Sequence, residues 1–337
     1  MRLSLSPRGL FAAKAVLAAV AVAGLARLAH PDDVRAAFAA ADGRWLALAL
    51  ALMPLNVALE AVRFGRLVQR VAPAVRMRDA VGAVVGAYPL GLLTPGRVGD
   101  YVGRAAFLPG VPAGATAALT FGERMATLLC CLAFGLVALV WNPAAALAPA
   151  EAWTAAAAWA AVVGVGLLAA FASPEQTARV LSAVVPVRAV RRAVSAFAAV
   201  PQGEAGVLLV LSALRYAVFS TQFVVLVHAF APGAAVTSVA AGVAVVYLLK
   251  SAVPQVTLGD LGVREGVAVF VLAGAGVAPA EALNASLAVF VMNLVLPALA
   301  GVPLLSRLRL PAAPVAPDDE APATVAAPVA RVREVPA

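Results

Sequence analysis

Long apolar runs separated by short polar joints dominate the chain. Six of them, at about 9–29, 45–62, 115–141, 153–172, 205–230 and 280–305, are close to the roughly 20 apolar residues that a membrane-crossing helix needs. Between them lie shorter apolar pieces. One covers about 80–94, ends at the breaker Pro95-Gly96 and is followed by a piece at about 98–108 that contains Asp100 and Arg104. Another covers about 236–253, reaching Lys250 just before Pro254. It is followed by a loop at 255–259 and a piece running from Asp260 to about 275. Two short apolar pieces joined by a turn predict a re-entrant hairpin, tolerated in a bilayer only where it is buried in protein or lines a wet cavity. The pattern therefore predicts an all-α polytopic membrane protein with about six full crossings and two re-entrant hairpins.

The remaining stretches are polar or amphipathic. The joint from His30 to Arg44 reads as a loop, with Asp32, Asp33 and Asp42 against Arg35 and Arg44. The stretch 173–203 carries Val180, Leu181, Val184, Val187 and Val190 at roughly helical spacing and reads as a helix lying in the interface. From 310 to 337 the chain is Pro, Ala and Val with scattered charge and no periodicity, which predicts a disordered tail. The membrane domain is thus expected over 1–309. Ala21-Val22-Ala23 fits a small-residue cleavage pattern, but such a match carries little information in an alanine-rich chain, and the first segment is expected to remain as a span.

Composition supports this reading. The chain is 63% hydrophobic and 12% charged, where a soluble domain has about 45–50% and about 25%. That rules out an ordinary soluble globule. The net charge is +8 and nearly all the basic residues are arginine. The arginines fall in short runs between apolar segments, which points to cytoplasmic loops rather than to nucleic acid. With the N-terminus inside, Arg63, Arg66, Arg70, Arg76 and Arg78, then Arg188, Arg191 and Arg192, then Arg307 and Arg309 all fall on the cytoplasmic side. Both termini are then cytoplasmic, as expected for a multi-pass membrane protein. The adjacent Cys130 and Cys131 have no metal spacing and read as small packing residues.

The two hairpins share a pattern. The first reads Tyr88 to Pro95, then Gly99-Asp100 and Arg104; the second reads Tyr247 to Pro254, then Gly259-Asp260 and Arg264. Tyr and Pro are equally spaced in both, and Gly-Asp-x-x-x-Arg recurs. Three crossings separate the copies, so the hairpins enter from opposite faces and the halves, about 10–141 and 153–305, form an inverted repeat. Broken apolar segments at matching places in inverted halves point to a transporter's binding site.

Ionisable groups at membrane depth are functional candidates by default. Asp100/Arg104 and Asp260/Arg264 are spaced i, i+4, which places each pair on one helix face. Two roles fit. The pairs cap and neutralise the hairpins, or the arginines hold an anionic head group, since a guanidinium fork suits phosphate and half-helix N-termini favour the same anion. Arg97 is either part of such a site or a cytoplasmic anchor. Glu123-Arg124 is either an interfacial pair or a cavity lining. Lys250 suits pairing with Glu265. Arg215 snorkels or enters the cavity, Glu60 and Arg63 read as a helix-end pair, and His228 reads as interfacial. The candidate head-group set is Arg97, Asp100, Arg104, Glu123, Arg124, Lys250, Asp260, Arg264 and Glu265. The hairpin breakers are Pro95, Gly96, Gly99, Pro254, Gly259 and Gly262. No nucleophile elbow, Walker loop or zinc spacing is present, so no enzyme activity, metal or cofactor is expected.

Three blocks carry a family resemblance. Pro95-Gly96-Arg97-Val98-Gly99-Asp100 with Arg104 resembles a Pro-Gly-Gly-x-Gly-Asp-x-x-Arg signature, Glu123-Arg124 a glutamate-arginine pair on the following helix, and Gly259 to Gly266 a Gly-Gly-x-Gly-x-Arg-Glu-Gly block. The chain is similar over about 10–305 to the lysylphosphatidylglycerol synthase transmembrane region, the flippase-like half of multiple peptide resistance factors. Arg97 replaces the second glycine of the first block, and Asp260 stands where a glycine is usual in the last. The resemblance implies lipid translocation rather than lipid synthesis and leaves the lipid unnamed; with the charged pairs, the first reading is a flippase or scramblase for a membrane lipid with an anionic or zwitterionic head group. Two other readings remain: a membrane partner or regulator of a separately encoded lipid-modifying enzyme, and a small-solute carrier.

Overall fold

The computed structural model describes residues 30–142, 144–173, 202–253 and 261–307, with isolated positions at 16, 23, 27, 176 and 179. The expected first crossing, the amphipathic connector and the tail fall almost wholly outside these residues, as do Pro254, Gly259 and Asp260. Among the described residues every regular element is a helix.

The joint after His30 is not a plain loop. It contains α1, Pro31–Ala39. Pro31 occupies the first turn, where its missing N–H costs nothing, and Asp32 and Asp33 complement the positive helix end. α2, Gly43–Val71, starts at Asp42, whose side chain accepts from the Arg44 N–H at 2.9 Å. α3, Met77–Leu93, and α4, Val98–Phe107, form the first hairpin around the single turn Pro95–Arg97. At 17 and 10 residues, they are roughly 25 and 15 Å long, the first at the lower limit for a crossing helix and the second below it. α5, Ala113–Leu139, leads through a short turn to α6, Ala150–Ala172. α7, Gln202–Phe230, is followed by α8, Val236–Ala252, and α9, Val263–Ala273, the arms of the second hairpin. α10, Pro279–Phe290, passes into a π-helical segment, Val291–Val295, and then into α11, Leu296–Gly301.

Five described helices are long and apolar enough to cross a membrane: α2, α5, α6, α7 and the continuous run Pro279–Ser306. They coincide with five of the six expected crossings. Neighbour relations recur between the halves. α3 packs on α2 and α4, and α4 on α5; α8 packs on α7 and α9, and α9 on α10. The hairpins also exchange partners, with α3 lying against α11 and α8 against α5, while α2 and α7 lie side by side.

Two large apolar cores form among the described residues, beside two small ones. One joins Phe64, Leu67 and Val68 of α2 to Ala83, Val84 and Tyr88 of α3 and Leu119 of α5. The other joins Phe223 and Leu226 of α7 to Val243, Val246 and Tyr247 of α8, Leu272 of α9 and Val289 of α10, and takes in Cys130 and Cys131. Both cysteines are free and buried, as packing residues should be.

Candidate functional site

A polar cavity of about 500 Å³ is walled by residues of both hairpins and of α2, α5, α7 and the α10–α11 run. Three of the long helices carry a polar stripe at helical spacing. α2 supplies Asn56, Glu60 and Arg63. α5 supplies Thr116, Thr120, Glu123 and Thr127, and α7 supplies Ser212, Arg215 and Gln222. An isolated polar stripe on an apolar helix has to face other protein groups or water, because lipid cannot satisfy it.

Three charge clusters are built from these stripes and the two hairpins. The first centres on Arg104, whose guanidinium reaches Glu60 with one nitrogen and Glu123 with the other. Arg215 Nη2 donates to Glu60 Oε2 at 2.8 Å, and the Tyr88 hydroxyl donates to the same oxygen at 2.8 Å. Arg63 Nε lies 3.3 Å from Glu123 Oε1, and its Nη1 donates to Thr127 Oγ1 at 2.9 Å and Ser212 Oγ at 2.7 Å. Glu60, Arg63, Arg104 and Glu123 are all buried. Charges this deep persist only when paired and hydrogen-bonded. Here two carboxylates share three guanidinium groups.

The second cluster centres on Asp100. Its Oδ2 accepts from Arg124 Nη2 at 2.6 Å and lies 2.9 Å from Arg97 Nη2. Arg124 also lies over the Tyr101 ring at 4.9 Å, and Arg97 over the Tyr88 ring at 5.4 Å. Gly91 of α3 makes room for the carboxylate: a Cβ there would sit 1.8 Å from Asp100 Oδ1. The turn before α4 is left-handed at both Gly96 (φ 62°) and Arg97 (φ 55°). Arginine is thus held in the backbone region that suits glycine.

The third cluster belongs to the second hairpin. Arg264 Nη2 donates to Glu265 Oε1 at 2.6 Å, and Arg264 Nε donates to Ser286 Oγ at 3.1 Å. The other oxygen, Glu265 Oε2, accepts from the Gly262 N–H at 2.6 Å, where Gly262 has φ 91°.

These contacts change several pairings read from spacing. Arg104 sits one turn after Asp100, yet Asp100 takes Arg97 and Arg124 while Arg104 takes Glu60 and Glu123. The i, i+4 rule applies to an isolated helix surface; here neighbouring helices supply better-placed partners. Glu60 and Arg63 are not a helix-end pair but buried members of the central cluster. Glu265 is held by Arg264 and the Gly262 N–H rather than being reserved for Lys250. Arg215, left open by the sequence, joins the cavity wall. His228 bonds the carbonyls of Val224 and Ala234 near the end of α7, consistent with an interfacial place. Sequence reading missed Asn56, Gln222 and Asn293, although the stripes on α2 and α7 were there to be seen.

The cavity wall holds Arg63, Arg104 and Arg215 from the central cluster, Arg97 and Arg124 from the second, and Lys250 and Arg264 from the far hairpin. Its carboxylates are Glu60, Asp100 and Glu123. Among the described residues, cations thus outnumber carboxylates along this partly open cavity, with Arg264 paired to Glu265. The side chains of Arg97 and Arg124 are 23% and 26% exposed against 4% for Arg104. The first two are thus partly exposed while paired to Asp100, and Arg104 is enclosed by its partners.

A search of curated proteins finds no match to the chain. The family model described as the lysylphosphatidylglycerol synthase TM region matches residues 11–301, which takes in all three charge clusters. The chain is a multi-pass membrane protein and belongs to the lysylphosphatidylglycerol synthase transmembrane region family.

Proposed function

We propose that the protein moves a lipid with an anionic head group across the cytoplasmic membrane, as a flippase or scramblase and without catalysing a covalent reaction. The observation that carries this reading is the excess of cations over carboxylates, among the described residues, in a partly open cavity between the two hairpins. An excess positive charge in low dielectric is costly alone and favourable opposite an anion. A cavity of about 500 Å³ is within the usual range for small-molecule sites, and suits a head group whose acyl chains stay in the bilayer.

Arg97 and Arg124 are the proposed contacts to the phosphate, assisted by Lys250 and Arg264. Arg104, Glu60, Glu123 and Arg63 position the wall. The exchange of partners between hairpins, α3 on α11 and α8 on α5, supports an inverted repeat with the cavity at its centre. The cytoplasmic arginine runs support an inside location for both termini.

The test is reconstitution in liposomes with acyl-labelled lipids and a membrane-impermeant quencher. Anionic lipids should equilibrate faster in protein-containing vesicles than in empty ones, and a lipid with a net cationic head group should not. Equal movement of cationic and anionic lipids would defeat the charge argument.

A further inference from the structure

A chain of side-chain amides runs along one wall of the cavity, and its direction is fixed. Gln222 Nε2 donates to the Ala49 carbonyl at 2.8 Å. A carbonyl can only accept, so the Gln222 amide has one permitted orientation. Its Oε1 is thereby turned to Asn293, whose Nδ2 donates to it at 2.6 Å. Asn293 Oδ1 in turn accepts from Asn56 Nδ2 at 2.7 Å. Each amide fixes the next, and the terminal atom is forced to be Asn56 Oδ1. This atom is an acceptor. It is buried, has no donor among the described residues, and belongs to a residue only 2% exposed.

Asn56 and Asn293 both line the cavity. Asn293 lies in the π-helical segment Val291–Val295, a type of local widening often found at functional sites. A buried acceptor without a donor costs its full desolvation, so a hydrogen-bond donor is the complementary ligand group. An ammonium would meet a wall that, among the described residues, already carries more cations than carboxylates. Glu60, one turn along from Asn56 on α2, is already held by Arg104, Arg215 and Tyr88. An uncharged hydroxyl supplies the proton without that repulsion.

We infer that Asn56 Oδ1 accepts a hydrogen bond from a hydroxyl of the head group, so that the cavity selects a phosphate diester bearing a free hydroxyl over an alkyl phosphate diester of equal charge. This selection rests on the anionic head-group reading above and adds a second contact to it.

Phosphatidylglycerol and phosphatidylmethanol carry the same charge and differ in the hydroxyls. Both, labelled on the acyl chain, are compared in liposomes containing the full chain, with phosphatidylethanolamine as an ammonium donor. The wild type should move phosphatidylglycerol about fivefold faster than phosphatidylmethanol, the discrimination one neutral hydrogen bond provides. Asn56→Ala should bring the ratio close to one while phosphatidylmethanol still moves. The comparison of lipids in the wild type needs no variant, so it decides the matter even where Asn56→Ala fails to fold. Equal rates for the two anionic lipids would overturn the hydroxyl contact and leave the anionic reading standing. Movement of neither would overturn both. Preference for phosphatidylethanolamine would replace the hydroxyl by an ammonium, and a preference retained in folded Asn56→Ala would place the selection elsewhere.

Discussion

The guanidinium of Arg215 lies 2.8 Å from the carboxylate of Glu60, a contact between residues 155 positions apart. It joins α2 to α7, the two helices that lie side by side at the meeting of the halves. Because Arg104 of the first hairpin shares the same carboxylate, Glu60 connects three elements at once. This gives it a structural weight that its place in the sequence does not suggest.

Glu60→Gln should therefore be among the most damaging single changes in the chain. It leaves Arg104 and Arg215 short of a counter-charge, and breaking a buried pair on one side costs about 3–5 kcal/mol. Pairing it with Arg215→Gln should recover part of the loss, with a coupling of about 1–3 kcal/mol. Thermal unfolding in detergent of the two single variants and the double variant measures the coupling. Strict additivity would show that the contact carries no weight.

Arg97 makes a separate point about strain. Its φ of 55° is a left-handed value, which costs a non-glycine residue about 1–2 kcal/mol. Arg97→Gly removes that strain together with the Asp100 contact, so stability should change by less than about 1 kcal/mol. Arg97→Ala loses the contact and keeps the strain, so it should melt lower than Arg97→Gly. Both should slow the movement of anionic lipid. Melting temperatures in the reverse order would remove the strain argument.

The helices were legible because their signal is strong. Runs such as 115–141 and 205–230 have the length and hydropathy of a crossing, and α5 and α7 form there. Breakers also announced themselves, as at Pro95-Gly96. Partner choice was harder to read. Spacing within one helix proposed Arg104 for Asp100, because a sequence shows neighbours at i+4 but not the residue arriving from another helix. Glu60 was misplaced for the same reason: its partners Tyr88, Arg104 and Arg215 are scattered along the chain. α1 was missed because nine residues with weak apolar content carry little periodic signal; it is anchored by a tertiary bond, Asn284 Nδ2 to the Val34 carbonyl at 2.8 Å.

The topology prediction depends on counting crossings. Gln69 lies near the end of α2, and Ala148 between α5 and α6. If α3 and α4 enter and leave by the same face, only α5 separates the two positions, and they lie on opposite sides. Reporter fusions at Gln69 should read cytoplasmic and at Ala148 external. Signals from the same side would mean that the hairpin crosses the membrane, and the inverted arrangement would then fail.

The two arginines that flank the cavity differently should respond differently to lysine. Arg104 uses separate nitrogens for Glu60 and Glu123 and stacks 4.7 Å from the Phe64 ring. A lysine ammonium is a compact charge on a flexible stem and cannot reproduce that planar bridge. Arg104→Lys should therefore lower stability by about 2–3 kcal/mol, with any lost lipid movement following from the damaged wall. Among the described residues Arg124 has Asp100 as its one carboxylate partner, and it keeps 26% of its side chain exposed. Arg124→Lys retains the ion pair, so unfolding should shift by less than about 1 kcal/mol. What it loses is the second nitrogen available for a phosphate oxygen, so anionic lipid movement should fall by about tenfold, the scale of one charge-assisted hydrogen bond. Measuring melting and flipping on the same preparations separates the roles. A stable, slow Arg124→Lys beside an unstable Arg104→Lys fits a wall that positions and a rim that binds. A fully active Arg124→Lys would remove Arg124 from the head-group contacts and shift that role to Arg97 and Lys250.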